Sequence, residues 1–224
     1  MSSIFVFPGQ GSQAVGMGKD LYDNNPIARA VFDEVDEALG QKLSDIIFNG
    51  PMEELTMTAN VQPAIMATSI AMLRVSGAEM TPYVAGHSLG EYTALCAAGA
   101  LSLADTARLL RLRGDAMHRA VPVGQGALAV VLGLDVETLT TVSRAADHRV
   151  GREYVCYIAN AQSPGHVVTP GSKPAIEAAM EIAKERGAKR AMLLPLSVPP
   201  HSRLMAPVAE EMFGALNEII INTP

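Results

Sequence analysis

Gly86-His87-Ser88-Leu89-Gly90 is the stretch that most constrains what this chain can become. It has the form G-x-S-x-G, and it stands between a short apolar run, Pro82-Tyr83-Val84-Ala85, and a small-residue stretch from Glu91 to Ala98. A strand, a sharp turn and a helix in that order form a nucleophile elbow, in which the Ser is held on a strained turn at the strand's carboxyl end. The glycines follow from that geometry, because the strained turn leaves no room for side chains two residues to either side. The helix start behind Ser88 also presents N–H groups with no helical acceptor, a ready place for an oxyanion. A Gly-flanked turn with Ser as helix cap would be spelled the same way, and it is the flanking strand and helix that favour the elbow.

A second glycine loop, Phe7-Pro8-Gly9-Gln10-Gly11-Ser12-Gln13, follows the apolar run Ser3 to Phe7, which reads as a buried strand. Ligands of open α/β sheets bind at the carboxyl ends of strands, so both loops stand at the functional edge. The loop lacks the Lys-Ser/Thr of a phosphate-binding P-loop and the third Gly of a dinucleotide fingerprint. Two glycines around Gln10 instead let its backbone N–H approach a substrate closely.

Composition narrows the class further. Of the 224 residues, 49% are apolar and 18% charged, enough for a sizeable core. Seventeen basic residues against 23 acidic ones, a net charge of -6, argue against nucleic-acid binding through phosphate neutralisation. Every apolar stretch is broken well short of the roughly 18 residues of a membrane helix, so no membrane association is expected. Cys96 and Cys156 have no C-x-x-C spacing, which gives neither a zinc site nor a disulfide framework and points to a reducing cytoplasm.

Helical spacing predicts helices over Ile27 to Leu39, Val61 to Val75, Leu89 to Ala98, Ala104 to His118 and Ala206 to Ile220. Between them, after Pro122, shorter elements are expected: strand Gly126 to Leu132, helix Val136 to Ala146, strand Tyr154 to Ala159, strand Val167 to Thr169, helix Pro174 to Arg186 and strand Arg190 to Pro195. That order is the split βαβ, ferredoxin-like pattern, read as a small subdomain over 124–195 inserted in a large subdomain over 1–123 and 196–224. The large part has only two strong strand signals, a poor sheet for several apolar helices.

Two further residues carry chemistry. Arg113 shares the apolar stripe of Leu109, Leu110, Ala116 and Met117, whereas Arg108, Arg111 and Asp115 fall on the other face as solvated charges. An inward guanidinium needs an anion, either a protein carboxylate or a substrate carboxylate held in a bidentate clamp. His201 lies in the Pro-rich loop Val198-Pro199-Pro200-His201, and a Ser nucleophile needs a base from elsewhere in the chain. His118, His148 and His166 stand in polar settings expected to be exposed, and His87 points away from the nucleophile as a packing or hydrogen-bonding residue.

These motifs, together with Gln62-Pro63-Ala64, Arg111-Leu112-Arg113-Gly114, Asn160, Ser163-Pro164-Gly165 and His201-Ser202, resemble in kind and order the malonyl-CoA:acyl carrier protein transacylases of type II fatty acid synthesis. The resemblance covers essentially the whole chain. It implies an α/β fold, an α/β-hydrolase-like large subdomain with the ferredoxin-like insert, and transfer of malonyl from malonyl-CoA to acyl carrier protein through a malonyl-serine intermediate. It implies Ser88 as nucleophile, His201 as base, the N–H groups of Gln10 and Leu89 as oxyanion hole, Arg113 as partner of the malonyl carboxylate, and Gln62 and Asn160 as lining. No cofactor or metal is implied beyond malonyl-CoA as substrate, and the complete protein is expected to be a monomer. Family members run several tens of residues past the position of Pro224 and find further strands there, so the large subdomain is expected to be incomplete at that end. A serine esterase or thioesterase of α/β-hydrolase type would share the elbow and base, though not the need for an inward Arg113. A transacylase inactive through truncation, or an acyltransferase domain of a polyketide synthase, would share every motif. The basic residues Lys184, Arg186, Lys189 and Arg190 are a candidate landing place for an acidic carrier protein.

Overall fold

The computed structural model describes residues 3–122, 124–151, 153–194 and 198–224. They form a mixed α/β chain that divides into two units, Met1–Asp115 with Glu211–Pro224, and Ala116–Glu210. Among the described residues no helix is long and apolar enough to cross a membrane.

In the first unit, strand β1 (Ile4–Phe7) pairs in parallel with β2 (Tyr83–Gly86), in a register that runs from Ile4 opposite Tyr83 to Phe7 opposite Gly86. Between them the chain forms helices α1 (Lys19–Asn24), α2 (Pro26–Leu39), α3 (Leu43–Asn49), α4 (Met52–Thr56) and α5 (Thr58–Ser76). After β2 come α6 (Leu89–Ala97) and α7 (Leu103–Ala120). The sequence explains α2 well: Asn25 accepts a hydrogen bond from the Ile27 N–H at 2.9 Å, Pro26 opens the first turn, and Gly40 ends the helix at φ 60°. Its buried face, Val31, Phe32 and Val35, packs on α5, and Phe32 meets Tyr22 and Phe48 at ring centroid distances of 5.9 and 5.1 Å. Each such burial contributes about 1.5–3 kcal/mol.

Two expectations change here, and three helices are added. The helix expected from Val61 starts at Thr58, which puts Pro63 inside it. Pro63 removes one helical N–H, but most of α5 is buried, and that burial holds the helix across the gap. Helices α1, α3 and α4 were not legible, being five to seven residues long and too short to show a period. The run Ser3 to Phe7 is not buried on both faces: Phe7 is buried at 6% exposure, while Ile4 and Val6 are 55% and 69% exposed. Helix α6 packs against the two strands, and among the described residues nothing covers the side of Ile4 and Val6. No third strand joins β1 and β2 among the described residues, in keeping with the two strand signals in the sequence.

The second unit contains β3 (Gly126–Leu132), α8 (Val136–Val150), β4 (Asn160–Ser163), β5 (His166–Ser172), α9 (Lys173–Glu185) and β6 (Arg190–Leu193), followed by α10 (Ala206–Asn217), which leads back into the first unit. The sheet order is β4-β5-β3-β6, with every neighbouring pair antiparallel. Strand β3 is central, so its apolar residues serve two faces. Ala127, Ala129 and Val131 enter a core with Leu139 and Val142 of α8 and Ile176, Ala179 and Ile182 of α9, and Leu128 and Val130 join Val168 in a separate cluster.

The strand expected over Tyr154 to Ala159 is instead at Asn160–Ser163. The earlier stretch does lie along β5, since the Tyr157 N–H donates to the Pro170 carbonyl at 2.8 Å and the Ala159 N–H to the Val168 carbonyl at 3.0 Å. Pro170 has no N–H to return a bond. Cys156 pairs with Gly171 but Asn160 with Val168, so one extra residue bulges out between the two pairings. The alternation of Tyr154, Cys156 and Ile158 was thus a true sign of extended chain, and the ladder failed for lack of a donor. Pro195, the expected end of the last strand, lies outside the described residues.

Helix α7 comes so close to α5 that a Cβ on Gly114 would stand 2.6 Å from the Ala59 nitrogen and 2.7 Å from the Thr58 carbonyl oxygen. Gly114→Ala must push the helices apart, and a loss of about 1–3 kcal/mol in unfolding free energy is expected. Urea denaturation measures it. A loss below about 0.3 kcal/mol would mean that this crossing is not tight.

Candidate active site

Ser88 sits at φ 56°, ψ -114°, between the end of β2 and the first turn of α6. Among the described residues only Ser88 and His201, at φ 57°, combine a side chain with positive φ. Such backbone costs of order 1–3 kcal/mol and collects at functional sites. These two are the residues the sequence selects as nucleophile and base.

The glycines of the pentad are required by contact. A Cβ on Gly86 would collide with the carbonyl group of Gly90, and one on Gly90 would collide with the Phe7 carbonyl oxygen and come within 2.8 Å of that of Pro8. The His87 N–H donates to the Phe7 carbonyl at 3.4 Å, and a Cβ on Gly9 would stand 3.0 Å from His87 Nδ1. His87 therefore packs beneath the Gln10 loop, the role expected of it. The loop is also tied internally, by Gly11 N–H to Gln13 Oε1 at 2.8 Å and Ser12 Oγ to the Gly9 carbonyl at 3.1 Å. The elbow and the loop thus bring Gln10, Ser88 and Leu89 to one edge of the two strands. Leu89, as the first residue of α6, has an N–H with no acceptor within the helix.

Arg113 on α7 reaches the same place. Its Nη2 donates to Ser88 Oγ at 3.0 Å and its Nη1 to Gln62 Oε1 at 2.6 Å, and Gln62 on α5 is fully buried. Its Cζ lies 5.9 Å from the centre of the Tyr92 ring. Among the described residues no carboxylate comes within ion-pairing distance of it. Burial lowers the guanidinium's pKa, with Tyr92 and Glu91 opposing the shift, and burial raises the pKa of the Tyr92 phenol. The site therefore holds the Ser88 hydroxyl beside a cation whose partners among the described residues are neutral. Tyr92 was missed by sequence reasoning, and its only signal was its place one helical turn after Ser88.

His201 and Asn160 belong to the second unit. His201 is exposed and lines a cavity of about 430 Å³ with Tyr157, Ile158, Ser202, Arg203, Met205, Ala206 and Ala209. Asn160 opens β4, opposite Val168 of β5. Two other readings need correction. Arg111 is not a solvated charge, for its Nε and Nη2 are buried without a hydrogen bond and burial lowers its pKa. His118 is not simply exposed, because its Nε2 is buried without a hydrogen-bond partner. Both share a side of α7 with Gly114 by helical spacing, and the apolar period of the helix alone did not reveal their burial.

The acyl transferase domain family matches residues 4–224. The chain belongs to the acyl transferase domain family. It is 51% identical to the malonyl CoA-acyl carrier protein transacylase of Bacillus subtilis (strain 168) over 220 residues, 97% of this chain and 68% of that protein. Among solved structures, the acyl-carrier-protein S-malonyltransferase of Bartonella henselae superposes with a TM-score of 0.93 at 51% identity, covering 100% of this chain and 72% of that one. A malonyl-transacylase solved in complex with its type II PKS acyl-carrier protein superposes with a TM-score of 0.93 at 40% identity, again over 100% and 72% of the two chains.

The strain at Ser88 gives this acyl transferase domain a measurable signature. Gly tolerates positive φ whereas Ala does not, so Ser88→Gly is expected to be about 1 kcal/mol more stable than Ser88→Ala, although both lack the hydroxyl. Chemical denaturation of the two variants decides it, and an Ala variant as stable as the Gly variant would remove the case for stored strain.

Proposed function

We propose that this chain transfers a malonyl group from malonyl-CoA to the phosphopantetheine thiol of acyl carrier protein, by a ping-pong route through malonyl-Ser88. The observation that carries the proposal is Arg113: a half-buried cation with no carboxylate partner among the described residues, hydrogen-bonded to the nucleophile's own oxygen. An unneutralised guanidinium beside the acyl-accepting atom calls for an acyl group that brings its own carboxylate. A simple esterase has no use for it. The names of the relatives and the carrier-protein complex support the same reading.

In the first half-reaction Ser88 Oγ attacks the thioester carbonyl while its proton passes to His201. The N–H groups of Leu89 and Gln10 hold the oxyanion, and the CoA sulfur leaves with the proton from His201. Arg113 exchanges its bond to Ser88 for the malonyl carboxylate, and Gln62 keeps hold of the other guanidinium nitrogen. In the second half-reaction the pantetheine thiol attacks the ester, its proton moving through the same base to Ser88. We assign Asn160 to the lining of the acyl site. The architecture that goes with this function is an α/β-hydrolase-like part, 1–123 and 196–224, interrupted by a ferredoxin-like part, 124–195. The βαββαβ order and the strand arrangement of the second unit support the latter. A cytoplasmic setting fits two cysteines that are both free thiols.

Incubation with malonyl-CoA should add one malonyl group to the peptide that contains Ser88, and Ser88→Ala should abolish the label. Labelling that survives the substitution would falsify the assignment. Arg113→Ala should lower the ratio of malonyl to acetyl transfer by about a hundredfold or more, because a carboxylate left without its buried partner costs on the order of 3–5 kcal/mol. An unchanged ratio would make Arg113 a structural residue. Charge reversal at Lys184 and Arg190 should raise the KM for carrier protein while leaving the reaction with malonyl-CoA alone; equal effects on both half-reactions would discard docking there.

A further inference from the structure

The geometry points to Tyr92 as a positioning residue that fixes the Arg113 guanidinium over the acyl site and so helps to set the preference for a charged acyl group. This inference rests on the reading of Arg113 given above. An arginine side chain has about 2 kcal/mol of rotamer freedom, and a clamp for a carboxylate works only if that freedom is already spent. Gln62 fixes one end nitrogen at 2.6 Å and Ser88 Oγ the other at 3.0 Å, but once the bond to Ser88 is exchanged for the substrate, the single bond to Gln62 leaves the guanidinium free to swing about it. The Tyr92 ring, 5.9 Å from Cζ, supplies the second constraint.

The chemical kind of this partner matters. A carboxylate in place of Tyr92 would neutralise Arg113 permanently and occupy the N–H donors that the substrate needs. An aromatic ring steadies a cation through its quadrupole and consumes no donor. Burial raises the phenol's pKa, so the ring stays neutral and does not become a competing anion. Tyr92 is also well anchored, on α6 one turn beyond the strained Ser88, so one rigid element sets both the nucleophile and the aromatic support of the cation. Nη2 of Arg113 is directed at a reacting group, and Ser88 Oγ holds it at 3.0 Å until a carboxylate arrives.

The experiment compares Tyr92→Phe, which keeps the ring, with Tyr92→Leu, which keeps apolar bulk without it; Tyr92→Met replaces the Leu variant should that one not fold. Two quantities are measured: the ratio of malonyl to acetyl transfer, and the nitrogen relaxation of the Arg113 Nε–H group. The ringless variant should lower the ratio about fivefold to tenfold and make the Arg113 side chain more mobile, while the Phe variant changes neither. In an Arg113→Ala background the loss of the ring should not change the ratio further. Equal losses of malonyl and acetyl transfer, a further fall of the ratio in that background, or an Arg113 side chain as rigid without the ring as with it would each overturn the assignment. If Arg113 loosens as expected while the unmodified protein takes no malonyl group on Ser88, the positioning role stands and the proposed function falls.

Discussion

Gly90 lies directly against the carbonyl oxygens of Phe7 and Pro8, and the carbonyl of Gly90 lies against Gly86. This stack of backbone on backbone sets how β1, β2 and α6 come together, and nearly every functional feature of the first unit follows from it. It forces Ser88 into positive φ, because the chain must turn from strand to helix without side chains to fill the corner. It carries the Gln10 loop over His87 and brings two backbone stretches with available N–H groups to the nucleophile. Since the contact is between main-chain atoms, no rearrangement of side chains can substitute for it.

The second organising feature is electrical. Burying a cation without an anion is costly, and the chain meets that cost with Gln62, Ser88 and Tyr92, none of which carries charge. The ion pairs of the described residues lie at the surface, apart from the bond of exposed Lys42 to buried Asp36. Asp36 shows the ordinary arrangement, a buried charge satisfied by Lys42 and by Ser44. Arg113 departs from it, and on that departure the proposed function rests.

Much of this was legible in the sequence because the elements concerned are punctuated by chemistry that acts locally. The apolar spacing from Ile27 to Leu39 marks α2, and two glycines around Ser88 mark a turn that nothing larger could make. Arg113 announced itself by standing in the stripe of Leu109 and Leu110. What escaped depends on neighbours distant in the chain. The strand expected over Tyr154 to Ala159 lost its ladder to Pro170, more than ten residues away. Arg111 looked solvated because it falls off the apolar stripe of α7, a pattern that says nothing of what packs on the other face. Tyr92 gave no sign beyond its place one helical turn after Ser88, since its partner is twenty-one positions later and on another helix.

The glycine at the crossing of α5 and α7 has a reach beyond packing. Gln62 is on α5 and Arg113 on α7, next to Gly114, so the spacing of these two helices is also the spacing of the guanidinium from its anchor. Hydrogen bonds weaken steeply over a fraction of an ångström, whereas helices part readily by that amount when their core is altered. Under the role proposed for Arg113, acyl selectivity would therefore drift through substitutions that touch no substrate. A survey of charge preference among such enzymes should look for its determinants in the buried seam between these helices as well as on the walls of the acyl pocket.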